Sequence, residues 1–95
     1  MIVKLPSGNI KIYFRHTNNG SGMWNYSECH IRDSNNELVA FGQAKCCPLD
    51  QFSFAKGRKI ALERALGSGL IDFDFSKQER TLIWQKYHDE HNDLV

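Results

Sequence analysis

The hydrophobic period of this chain changes once, from two to about 3.6, and the change falls at "CCPLD", residues 46 to 50. Before that point "NIKIYFRH" alternates, with Ile10, Ile12 and Phe14 on one side and Lys11, Tyr13 and Arg15 on the other, as a half-buried strand requires. After it, Phe54, Ala61, Leu62, Ala65 and Leu66 recur at helical spacing. A chain ordered this way builds a sheet from its first half and lays helices on it from its second.

Turn formers set the strand count. "TNNGSG" ends the first alternating run, "MWNYSECHIRD" supplies a second, and "SNNE" returns the chain into a third, "LVAFGQAKCC". A short edge strand, "IVKL" before the "PSGN" turn, brings the sheet to three or four strands. Pro48 has no amide for a ladder and Asp50 can cap a helix, so the sheet ends near Cys47 and a helix begins between Asp50 and Ala55. Gly67 and Gly69 end it. In "SKQE" the Ser76 hydroxyl can take the amide of Glu79 while the Glu79 carboxylate reaches back, a capping box that opens a second helix with Ile83, Trp84 and Tyr87 as its buried stripe. Leu70, Phe73 and Phe75 anchor the linker between the helices. The expectation is one α+β domain over residues 1–95: an antiparallel three- to four-stranded β-meander over 1–47, then two helices over 50–90 packed on one sheet face.

A formal net charge of +1 gives no bulk steering toward nucleic acid or acidic membranes, so a charged site must be a local patch. No apolar run is long enough to span a bilayer, and "MIVKLPSGNIKIYF" lacks the apolar core of a signal peptide, so a cytoplasmic protein without a membrane partner is expected. Cys29, Cys46 and Cys47 are odd in number and not spaced as a disulfide framework; they read as reduced, buried thiols. Cys29 with His30, and Cys46 with Cys47, are strand neighbours pointing to opposite faces. They do not converge on zinc, and no metal or cofactor is expected.

"AKGRKIALER" places Lys56, Gly57, Arg58 and Lys59 near the first turn of a helix, where free amides and the macrodipole favour an anion. The glycine spacing of a Walker loop is missing. Gly57 reads instead as a point of close helix–sheet approach, and the three cations as contacts for a nucleic-acid backbone or an acidic protein. "SGLIDFDF" shares Gly69, Leu70, Ile71, Asp72 and Asp74 with the motif of the LAGLIDADG homing endonucleases, but it follows a sheet instead of opening an α-β-β-α unit, so no nuclease chemistry is carried over. No grouping of Ser, His and Asp or of Cys and His marks a nucleophile, and the chain is read as non-enzymatic. The richest surface is the outer sheet face, where Lys11, Tyr13 and Arg15 are joined by Trp24, Tyr26, His30 and Arg32 of the next strand. Rings interleaved with cations suit single-stranded DNA or RNA, whose bases stack while its phosphates pair. They equally suit a protein partner, because Trp, Tyr and Arg are the usual interface anchors.

With these residues in view, the chain resembles a group of small proteins of tailed phages and prophages. The shared pattern is a cysteine, a D-x-F step, G-R-K-x-A-L-x-R-A-L and then R-x-x-x-W-x-x-Y. Here it reads Cys46 or Cys47, Asp50 and Phe52, then Gly57, Arg58, Lys59, Ala61, Leu62, Arg64, Ala65 and Leu66, then Arg80, Trp84 and Tyr87. The resemblance implies a viral or mobile-element protein inside a bacterial cell that binds, and so inhibits or redirects, a host or anti-phage defence protein. A fainter likeness, basic residues opening a helix after a three-stranded meander, is to the double-stranded RNA-binding domain, whose first helix is missing here.

Overall fold

The computed structural model describes residues 1–17, 24–46, 53–67 and 75–91, and in them the alternating half of the sequence forms one antiparallel sheet. Its strands are β1 (Ile2–Leu5), β2 (Gly8–Thr17), β3 (Asn25–Arg32) and β4 (Leu38–Cys46), hydrogen-bonded in chain order. Helices α1 (Phe54–Gly67) and α2 (Lys77–Glu90) follow. The fold is α+β, with the sheet at its four-strand limit and both helices packed against it.

Local chemistry explains the turns. Leu5 pairs with Gly8 across the first hairpin, and Gly8 has φ 135°, a conformation that side chains other than glycine rarely adopt. Between β3 and β4 the Asp33 carboxylate accepts the amides of Asn35 (2.9 Å) and Glu37 (3.0 Å), while Asn36 takes the left-handed conformation that asparagine tolerates (φ 64°). Beyond the turn, Ile31 pairs with Ala40 but Arg32 with Leu38, so β4 carries one extra residue. This bulge turns both Val39 and Ala40 into the core.

The core lies on one sheet face only. Val3, Leu5, Ile10, Ile12, Cys29 and Ile31 meet Leu62 and Leu66 of α1, Phe75, and Ile83 and Tyr87 of α2. Helix α1 lies over β3 and β4, while α2 reaches β1 and sets Tyr87 edge-on to Phe14 of β2, ring centroids 5.9 Å apart. Two glycines set how near α1 comes. A Cβ on Gly42 would overlap the Ala61 carbonyl oxygen and the Ala65 amide nitrogen and lie 3.0 Å from the Ala65 Cα; one on Gly57 would overlap the Ser27 hydroxyl and lie 2.8 Å from the Ser27 Cβ.

Helix α2 starts as the sequence indicates. The Glu79 amide donates to Ser76 Oγ (3.1 Å) and the Ser76 amide to Glu79 Oε1 (3.3 Å), completing the capping box. Ser7, in the β1–β2 turn, also donates to the Glu79 carboxylate and, with the cap, holds its pKa below the ordinary value. One side chain thus caps the helix and ties it to the sheet. Arg80 donates to the Phe75 carbonyl (2.6 Å), fixing the chain as it enters.

Three burial expectations need correction. Phe54 is 48% exposed, because it is the first residue of α1 and meets the ring of His16 (4.7 Å) at the end of β2 instead of the central core. Cys46 is half-buried, since it closes the edge strand β4, whereas Cys29 is wholly buried and its thiol is pushed up to about 12 by that burial. Trp84 is half-buried too, stacked on His88 at the helix surface. The readings placed on Cys47, Pro48, Asp50, Phe52, Gly69, Leu70, Ile71, Asp72, Phe73 and Asp74 lie outside the described residues.

Candidate functional site

Because both helices take the same sheet face, the strand alternation delivers every second side chain to the other one. Register arranges them in rows. Tyr13, His30 and Phe41 are successive cross-strand partners on β2, β3 and β4, with the His30 and Phe41 rings edge-on at 4.9 Å. On one side of this aromatic row Lys11 pairs with Arg32; on the other, Arg15, Glu28 and Gln43 align, followed by Thr17, Tyr26 and Lys45. Tyr13 and Trp24 are the open rings, 47% and 48% exposed, while Tyr26, His30 and Phe41 are half-buried among their neighbours.

The face is cationic although the chain is nearly neutral. Its strands present Lys4, Lys11, Arg15, Arg32 and Lys45 against one carboxylate, Glu28, whose Oε1 lies 3.8 Å from His30 Nε2. Arg32 is steadied by donating to the Asn36 carbonyl (3.1 Å), which fixes its head beside the β3–β4 turn. Sequence reading missed Phe41 and Lys45. The bulge places Val39 and Ala40 in succession in the core, so β4 reads as an apolar run without clear alternation, and Phe41 counts as core until the register is known.

The expected basic residues divide between two layers. Lys11, Tyr13, Arg15, Tyr26 and Arg32 belong to the sheet and Trp24 directly precedes β3, whereas Lys56, Arg58 and Lys59 lie on α1, on the other side of it. Even these three do not form one patch: Lys56 and Lys59 are exposed, but Arg58 is half-buried beside His16.

Beneath the start of α1, His16 Nδ1 lies 2.7 Å from Ser27 Oγ. A serine at hydrogen-bond distance from a histidine has the form of a nucleophile and its base. Here the Ser27 side chain is wholly buried under Gly57, so its hydroxyl presents no path to a substrate and serves the helix–sheet contact. Burial, and then the Arg58 charge, lower the His16 pKa from its ordinary 6.5. Folding therefore favours the neutral ring. Its contribution to stability is complete above the unfolded value and is lost as the pH falls from there through the folded pKa. Between about pH 7 and about pH 5 the urea midpoint of the wild type should fall further than that of His16→Gln. Parallel pH profiles would remove His16 from the acid response.

Most described residues of the expected phage-type pattern have packing or bonding roles here, while Lys59 is exposed on α1. Gly57, Ala61 and Ala65 permit the close approach of α1, Leu62, Leu66 and Tyr87 fill the core, Arg64 donates to the Gln43 carbonyl (2.7 Å), and Arg80 holds Phe75. Among the described residues no group of three or more His, Cys, Asp or Glu side chains is placed to hold a metal ion, and no helix is long and apolar enough to cross a membrane. Compared with known protein families, curated proteins and solved structures, the chain matches none.

Proposed function

We propose that this chain is a non-enzymatic binding protein of phage type that works inside a bacterial cell, gripping a host or anti-phage defence protein with the outer face of its sheet and inhibiting or redirecting it. The observation that supports this most is the row Tyr13–His30–Phe41 lying between cations on the sheet face opposite α1 and α2. Tyr13 and Trp24 offer rigid ring area at low entropic cost, and Arg15 and Arg32 select an acidic partner surface. The setting comes from the resemblance to the phage pattern, most of whose described letters pack or bond within the fold, Lys59 excepted.

The same row favours a second reading, a single-stranded nucleic-acid module, because bases stack on exposed rings while flanking cations hold phosphates. Passing bacterial lysate over the tagged protein, with and without nuclease, separates the two. A protein retained after nuclease, and released when Tyr13 and Trp24 are replaced by alanine, is the expected result. Loss of all bound material on nuclease treatment would replace the lead with the second reading, and that binding should then weaken steeply with salt.

A further inference from the structure

The two edges of the sheet are not alike. On the β4 side, Arg64 of α1 places its guanidinium on the Gln43 carbonyl and so occupies part of that edge. On the β1 side, Met1 and Ile12 exchange both backbone hydrogen bonds: the Ile12 amide donates to the Met1 carbonyl (2.8 Å) and the Met1 amine to the Ile12 carbonyl (3.1 Å). In an antiparallel ladder such pairs alternate with non-bonded ones. Val3 and Leu5 therefore turn their backbone groups toward β2, as Met1 does, while the N–H and C=O of Ile2 and Lys4 face the outer edge of the sheet, where no further strand pairs among the described residues. Ile2, 54% exposed, stands beside them on the outer face.

A groove of about 430 Å³ runs along this edge between β1 and α2. Ile2, Val3 and Leu82 supply its apolar lining, and Lys4, Gln85, Lys86 and Asp89 its polar rim. We propose that the β1 edge and this groove form a peptide-binding site that takes an extended segment of a partner protein as a fifth strand. The backbone groups of Ile2 and Lys4 would supply the hydrogen bonds, and alternate side chains the specificity. Four residues of β1 match a segment about 13 Å long, at roughly 3.3 Å per residue. One set of its side chains enters the groove beside Leu82 and must be aliphatic; the other lies on the outer face, where a carboxylate meets Lys4 on a cation-rich surface. The segment thus alternates aliphatic and acidic residues. This site uses neither Tyr13 nor Trp24, so it stands or falls apart from the outer-face reading.

The test uses the whole chain, isotope-labelled, titrated with a capped peptide of alternating Ile and Asp flanked by Ser. The amides of Ile2 and Lys4 should shift with peptide concentration and their hydrogen exchange should slow by about tenfold or more at saturation. N-methylation of the peptide amides that face the edge should abolish both effects, because it removes the donors and leaves the side chains. Gln85→Trp, at an exposed helix position, should fill the groove and weaken binding by about tenfold while leaving the fold intact. Three results would overturn the proposal: edge amides unresponsive to millimolar peptide, equal binding of the N-methylated peptide, or shifts gathered on Tyr13 and His30.

Discussion

Gly42→Ala destabilises the protein by about 3 kcal/mol or more, the upper end of what overpacking a tight core costs. The new methyl group would collide with backbone atoms of Ala61 and Ala65, which cannot rotate away, so α1 must lift off β4 and give up contacts made by Leu62 and Leu66. Domains of this size hold about 5–15 kcal/mol in all, so the urea midpoint falls far while its slope stays unchanged. Gly57→Ala is the graded comparison. It meets the side chain of Ser27, whose hydroxyl can turn away by giving up its contact with His16, so the loss is smaller. A Gly42→Ala protein within about 0.5 kcal/mol of wild type, the range of ordinary surface changes, would show that α1 does not approach the sheet this closely.

Tyr13→Ala separates binding from folding. The ring is 47% exposed on the outer face, so its removal changes stability by no more than about 0.5 kcal/mol. As an interface anchor it carries about 2 kcal/mol of recognition, a loss of roughly thirtyfold in affinity for the partner retained from lysate. Unchanged melting with that loss is the expected outcome. Lys59→Ala, on the opposite layer, distinguishes the two groups of cations: a larger effect there than at Tyr13 would move the site from the sheet to α1. Salt then tells partner classes apart, since phosphate contacts release counterions and protein contacts through rings persist.

How far the sequence reaches depends on the range of the interaction that decides each feature. The strands, the Ser76 cap and the start of α1 within its expected window were readable, because alternation, turn residues and capping groups act over a few positions. The side of β2 that carries Lys11, Tyr13 and Arg15 was readable for the same reason. Phe41 was not, because a bulge opposite the Ile31–Arg32 step shifts the β4 alternation and only the pairing with β3 reveals it. The division of the cations followed from placing both helices on one sheet face, but the half-burial of Arg58 beside His16 did not, because it depends on how α1 seats over the sheet. The His16–Ser27 contact joins positions 11 residues apart that are direct partners in the β2–β3 register, and the lowered His16 pKa needs burial and then Arg58 from α1. By itself, then, the sequence determined the order and faces of the elements, through backbone periods of two and about 3.6. Tertiary structure decided which faces became neighbours, because register, bulges and the close approach at Gly42 and Gly57 are settled only when distant segments pack.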